Sequence, residues 1–248
     1  MKLTKCTIAK ESIEFLGYII DKDGVRTDPK KVAAIAEYPV PTNVTDLKAF
    51  LGLASYYWKF IKGFSTIASP LFWLMRKDIP YEWTNEQQDA MDTLKRKMTQ
   101  APILRQPEWT WEFILQTDAS KIGLGAVLMN KNPKTGEEHV IAYASRGTRG
   151  AEQTKYTAYE LECLAVVWGL ETFDYYVYGR HIKIKMDNSA VTWLKTKKDP
   201  KSMFARWIER IGKYDYTIIH VPGTQNGSAD ALSRIPRMET NLDNQHEL

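Results

Sequence analysis

Four carboxylates stand where predicted elements begin or end. Asp118 closes a strand, Glu162 lies in the first turns of a long helix, Asp187 follows a further strand and Asp230 opens the last helix. Clustered carboxylates repel one another unless cations fill the space between them. Hard divalent ions meet that need, because they take oxygen ligands and keep open water positions. Two such ions about 3.5–4 Å apart can activate a water and stabilise the leaving oxygen in phosphodiester cleavage. Rival chemistries lack their residues: there is no G-x-S-x-G, no H-E-x-x-H, no P-loop and no Gly-rich dinucleotide turn. The four histidines, His139, His181, His220 and His246, are scattered and read as ordinary strand or tail residues. Asp118 alone would also serve as a turn-former; the other three acids give it the chemical reading.

The elements that must position these acids follow from periodicity and punctuation. The run from Phe113 to Met129, FILQTDASKIGLGAVLM, reads as a β-hairpin turning at Ala119-Ser120-Lys121. Strands are expected over 112–118, 122–129 and 138–144, with a turn at Gly136, and then a helix from Tyr156 to Tyr176. That helix is apolar almost all round, which predicts cover on both sides. A strand over 181–186 ends in Asp187, Ser189 caps a short helix over 190–196, a helix covers about 203–213, and Tyr216 to Val221 forms the last strand. A tight loop, Pro222 to Gly227, precedes a final helix over Ser228 to Ile235. Upstream, Phe15 to Ile20 is strand-like, with a turn over Asp21 to Gly24. Helices are expected from Asp28-Pro29 to about Tyr38, from near Thr45 to Lys62 and from Ser65 to Arg76. A fourth runs from the capping box Thr84-Asn85-Glu86-Gln87 to about Gln100. Residues 101 to 111, with Pro102 and Pro107, form a connector.

Composition permits a packed core and narrows the partners. The 248 residues are 44% hydrophobic and 12% aromatic, which argues against wholesale disorder. No apolar run approaches the roughly 20 residues that a membrane helix needs. The polar start, MKLTKCTIAKESIEF, has no apolar h-region, so no signal peptide is expected. Cys6 and Cys163 are far apart; Cys163 reads as a small core residue, and the usage fits a reducing compartment. Net charge is only +4, but ten Lys and Arg against three acids fall between Arg180 and Lys213. Such a strip beside acidic centres suits a polyanion held near bound cations. Lys195, Lys197, Lys198 and Lys201 are the strongest candidates in it for binding phosphate.

Several motifs in order resemble one family. TDAS at 117–120, the ELECLAVVWGL helix, MDN at 186–188 and ADALSR at 229–234 resemble the RNase H domain of gypsy-like LTR-retrotransposon polyproteins. AYASR at 142–146 and YDYTIIHVPGTQN at 214–226 fit the same pattern. CTIAKESIEFLGYIIDKDGVRTDPKKVAAI resembles the end of a reverse-transcriptase palm and the start of its thumb. FLGLASYYWKFIKGFSTIASPL and YEWTNEQQDAMDTLK resemble thumb and connection.

The resemblance implies an α/β, RNase H-like fold: a five-stranded mixed sheet flanked by helices, three strands antiparallel and two added in parallel. A mainly helical thumb and connection segment precedes it. The implied layout is a partial reverse transcriptase over 1–105, an RNase H-like domain over 106–235 and a flexible tail over 236–248. The implied activity is Mg²⁺-dependent cleavage of the RNA strand of an RNA–DNA hybrid, with two ions and Mn²⁺ as a substitute. The family's acidic quartet falls on Asp118, Glu162, Asp187 and Asp230, as catalytic and metal-binding residues. Thr157 and Tyr159 are candidates for nucleic-acid contact through the minor groove. Implied partners are the hybrid and the remainder of the polyprotein, with no membrane. The implied location is intracellular, in a cytoplasmic retroelement particle or the nucleus.

Two departures accompany the resemblance. The chain has no Asp-Asp pair such as a polymerase palm carries, and the palm would lie before Met1, so polymerase activity is not expected. Pro222 to Ala229 also lacks the histidine many RNases H place before the last acid, which bears on rate rather than on activity. The alternative reading is a non-catalytic remnant or domesticated protein that binds nucleic acid or a partner. Within the long helix, Glu160 and Glu162 point roughly 200° apart. Glu162 shares a face with Val166, Gly169 and Phe173, so Glu162 is the expected site residue and Glu160 a first-turn residue.

Overall fold

A computed structural model describes residues 10–186 and 202–220. The chain opens on a three-stranded antiparallel meander: β1 (Ser12–Phe15), β2 (Tyr18–Asp21) and β3 (Gly24–Thr27). The strand-like run from Phe15 to Ile20 is therefore broken, not continuous. Leu16 and Gly17 both take left-handed backbone angles, φ 48° and 74°, which is the twist a two-residue hairpin turn requires. The second turn is held by the Asp21 carboxylate, which accepts from the Asp23 and Gly24 amides at 2.9 and 3.2 Å. At β3 the chain meets the later connector. Val25 and Leu104 exchange backbone hydrogen bonds of 2.8 and 2.9 Å. A Cβ on Gly24 would stand 2.2 Å from the Leu104 carbonyl oxygen, so only glycine permits the approach.

The helices that follow start where their caps predict. Asp28 accepts from the Lys30 amide and opens α1 (Pro29–Ala36); Asn43 accepts from the Asp46 amide and opens α2 (Val44–Tyr56). α2 stops earlier than expected and gives way to a 3₁₀ turn, Trp58–Phe60. The single helix expected over 65–76 is two short ones, α3 (Phe64–Ile67) and α4 (Ser69–Trp73). Pro70 explains the break: proline suits a first helical turn and disrupts a helix interior. Thr84 closes a complete capping box with Gln87 and starts α5 (Asn85–Thr99), as its sequence predicts. Phe50, Leu47, Leu71, Met91 and Leu94 are fully buried between these helices.

The second half is a five-stranded mixed sheet of order β6-β5-β4-β7-β8. Its strands are β4 (Glu112–Ala119), β5 (Gly123–Lys131), β6 (Glu138–Gly147), β7 (His181–Met186) and β8 (Asp215–His220). β6, β5 and β4 pair antiparallel, and β7 and β8 add in parallel, the topology the resemblance implied. A short α6 (Ala151–Thr154) precedes α7 (Ala158–Thr172), α8 (Asp174–Val177) follows it, and α9 (Ser202–Gly212) separates β7 from β8. α7 is covered on both sides, as its all-round apolar sequence predicts. Its Cys163, Ala165, Val166 and Leu170 are fully buried in one cluster with Leu115 and Leu128 of the sheet and with Phe204, Trp207 and Ile211 of α9. Each such aliphatic or aromatic burial stabilises by about 1.5–3 kcal/mol. The two halves meet along β5 and β6. Val140 and Tyr143 pack against the helical core, and the Arg105 amide donates to the Val140 carbonyl at 2.8 Å. Among the described residues no helix is long and apolar enough to cross a membrane.

Candidate active site

Asp118 is the penultimate residue of β4, the middle strand of the sheet. The turn after it is built by Ser120, whose hydroxyl accepts from the Ile122 and Gly123 amides at 3.2 and 3.1 Å. Leu115 and Thr117 face Gly169 of α7. Asp118 lines a cleft of about 40 Å³ with Gln116, Thr117, Ser120, Gly123, Gly125, Ala126 and, from the helical half, Lys62, Gly63 and Thr66. That volume admits a water-sized occupant or two. Half-burial pushes the Lys62 ammonium down from its ordinary value, Asp118 draws it back up, and Lys97 presses it down again.

Glu162 reaches the same end of the sheet from α7. The Lys121 ammonium, in the hairpin turn, donates to the Tyr156 carbonyl just before the helix. The helix therefore starts at the turn and runs back along β4. Gly169 sets how closely it lies: a Cβ there would stand 3.3 Å from both Ala126 Cβ and Thr117 Cγ2. Glu162 is seven residues earlier on that face, about 10 Å toward the turn at roughly 1.5 Å per residue. Glu160 is used otherwise. Its carboxylate accepts from the Thr157 amide at 2.8 Å and from the Thr157 hydroxyl at 3.1 Å, while that hydroxyl accepts from the Glu160 amide. The neighbouring Cys163 thiol is pushed up to about 12, first by burial and then by Glu162 and Glu160.

The remaining expected residues divide. Asp187 and Asp230 lie outside the described residues, as do Lys195, Lys197, Lys198 and Lys201 and the helices expected over 190–196 and 228–235. Asp187 is next in sequence after Met186, the last residue of β7, and β7 runs parallel to β4 with Gln116 opposite Lys185. The Thr157 hydroxyl belongs to the capping box, and Tyr159 packs against the sheet core. Among the described residues no three His, Cys, Asp or Glu side chains are grouped to hold a metal. The donor class at Asp118 and Glu162, carboxylate oxygen, is the one hard divalent ions take.

The described part of the basic strip is largely neutralised. Lys183 pairs with Glu112 at 2.6 Å, Lys185 with Glu138 at 2.5 Å, Arg210 with Glu171 at 2.5 Å and Lys213 with Asp174 at 3.1 Å. Arg180 stacks over Trp109 and donates to its carbonyl. Sequence reading missed Lys62 and Thr66 as cleft residues. Nothing local marks them, because only the docking of the helical half on the sheet brings them there.

A five-stranded mixed sheet of this order, flanked by helices, is an RNase H-like arrangement. Residues 83–184 match the family described as the RNase H-like domain found in reverse transcriptase. The chain is similar to part of the retrovirus-related Pol polyproteins of retrotransposons. The Pol polyprotein from transposon 297 of Drosophila melanogaster is 38% identical over 236 residues, 95% of this chain and 22% of the relative. That from transposon gypsy of the same organism is 37% identical over 243 residues, 93% of this chain and 23% of the relative. The chain thus spans about a fifth of the length of these relatives. Among solved structures, a foamy viral protease-reverse transcriptase in complex with RNA/DNA hybrid superposes with a TM-score of 0.74 at 20% identity. It covers 99% of this chain and 33% of that one, a likeness of fold.

Proposed function

We propose that this chain cleaves the RNA strand of an RNA–DNA hybrid, with Mg²⁺ or Mn²⁺ held by Asp118, Glu162, Asp187 and Asp230. The observation that carries the reading is Asp118 at the C-terminal end of the central strand of a five-stranded mixed sheet of order β6-β5-β4-β7-β8. The ions would lower the pKa of a bound water and offset charge on the leaving oxygen as the phosphodiester bond breaks. The chain's own part is to hold the donors. The Ser120 turn fixes the end of β4, the Thr157–Glu160 capping box fixes the first turn of α7, and Gly169 fixes that helix's height above the sheet.

The helical half supports a binding role. A groove of about 730 Å³ runs between α4 and the ends of β5 and β6, beside the Asp118 cleft. Phe72, Trp73, Arg76 and Arg149 line it alongside the carboxylates Glu82 and Glu86, and Trp73 is 46% exposed. Aromatic faces and guanidinium groups suit stacking bases and phosphates. A gel assay with a labelled hybrid tests the whole reading. The RNA strand should be cut with Mg²⁺ while duplex DNA stays intact, and cleavage undiminished by EDTA or by Asp118→Asn would refute it.

A further inference from the structure

Lys62 is far from Asp118 in sequence, yet the fold brings both into one small cleft. Its backbone is fixed on both sides. The Ile61 side chain is buried and its amide donates to the Trp58 carbonyl at 3.0 Å, while the Gly63 carbonyl, at φ 70°, accepts from the Thr66 and Ile67 amides. The short helix that follows is pinned to the sheet. The Ser65 amide donates to the Ser145 hydroxyl at 3.0 Å. Gly123 leaves no slack, since a Cβ there would stand 3.0 Å from both Thr66 Oγ1 and the Arg146 carbonyl oxygen. Thus a half-buried lysine is delivered to the Asp118 cleft by a rigid connection, and the carboxylate acts on its charge.

We propose that Lys62, supplied by the helical half, is a positioning residue that acts through its charge on Asp118 and weakens the carboxylate's hold on a divalent ion. The proposal rests on the reading of Asp118 as a metal ligand. A fixed cation beside a ligand repels a second cation brought to it, and partial burial strengthens the repulsion relative to water. The helical half would thereby set the metal affinity of the sheet half.

Calorimetric titration of the 248-residue chain with Mn²⁺, without nucleic acid, gives a readout independent of cleavage. Lys62→Met keeps the aliphatic stem and removes the charge; it should tighten Mn²⁺ binding about tenfold, equivalent to about 1.4 kcal/mol. Lys62→Arg should bind as wild type does. In an Asp118→Asn background the gain from Lys62→Met should disappear. Lys62→Gln replaces the methionine variant should that variant fail to fold by circular dichroism. Unchanged affinity in the uncharged variant, with binding that Asp118→Asn still weakens, overturns the proposal and leaves Asp118 a ligand. Tightening by Lys62→Arg as well as by Lys62→Met also overturns it, because charge is then not the cause. Mn²⁺ binding indifferent to Asp118→Asn overturns the proposal together with the reading beneath it.

Discussion

The helical and sheet halves bury their apolar residues in opposite ways. The sheet half threads one helix, α7, between the strands and α9, and that helix buries Leu161, Cys163, Leu164, Ala165, Val166, Val167, Gly169 and Leu170. The helical half collects short helices around Phe50, Leu71 and Met91 and leaves Tyr56, Trp58, Phe72 and Trp73 partly exposed. The first arrangement packs one helix into a rigid layer with Asp118 at its edge; the second leaves aromatic surface uncovered and brings Lys62 to the Asp118 cleft. Position thus comes from the sheet, and the cleft's basic neighbour from the helices.

The largest expected effect lies within the sheet half. Asp118→Asn or Glu162→Gln should lower hybrid cleavage by orders of magnitude while circular dichroism stays unchanged. Glu160→Gln should cleave near the wild-type rate and, since glutamine can keep the capping box, lose only about 0.3–1 kcal/mol through the lost charge at the helix N-terminus, read by urea titration. A silent Glu162→Gln beside a dead Glu160→Gln would mean that the wrong glutamate faces the site. Next come two glycines, one per half. Gly24→Ala forces a Cβ to 2.2 Å from a carbonyl oxygen at φ 139°, and should destabilise by about 3 kcal/mol or more. Gly169→Ala meets side-chain carbons at 3.3 Å, and should cost about 1–3 kcal/mol with a larger loss of cleavage than Gly24→Ala gives. Equal loss of cleavage in both would erase the division of labour.

Two smaller effects sharpen it. Because Lys183, Lys185, Arg210 and Lys213 are ion-paired, the salt dependence of hybrid binding should rest more on Lys195, Lys197, Lys198 and Lys201. Replacing those four by Ala should reduce the salt slope by about 0.9 for each phosphate no longer neutralised, on the scale of duplex DNA. The same replacement of the four paired residues should change it less. The smallest effect is a pH dependence. Arg146, hydrogen-bonded to Glu152 at 2.7 and 2.9 Å, holds that carboxyl below the usual glutamate range. A depressed folded value gives stability above the unfolded pKa, lost as pH falls through the folded one. Glu152→Gln should therefore lose under about 1 kcal/mol at neutral pH, and the difference from wild type should vanish in acid.

Much of this was legible in the residues. The hairpin around Asp118, the Thr84 cap and the doubly covered α7 follow from turn chemistry, side-chain oxygens at N-caps and all-round apolarity, whereas Thr157, read as a nucleic-acid contact, is spent on a cap. Helix continuity was less legible. The aromatic run 56–60 reads as helix but becomes a 3₁₀ turn, because Tyr56 and Tyr57 turn their hydroxyls to the Leu16 and Gly17 carbonyls of the meander. That Glu160 is a first-turn residue was legible from helical period, and the capping box holds it there. Lys62 was not, because no local pattern records which loop a sheet edge will meet. The described basic residues were misleading for a related reason: their acidic partners, Glu112, Glu138, Glu171 and Asp174, sit on other elements.

The clasp between Val25 and Leu104 carries a kinetic consequence. It closes the helical half on itself as soon as Leu104 has been synthesised, whereas β4 gains its parallel neighbour only at residues 181–186. During synthesis the N-terminal part of a chain folds first. The helical half should thus be folded while the rest of the chain is still emerging, and should serve as the template on which Val140 and Tyr143 settle before β7 arrives. Pulse-labelled hydrogen exchange during refolding should protect the amides of Met91 and Leu94 before those of Ile182 and Ile184.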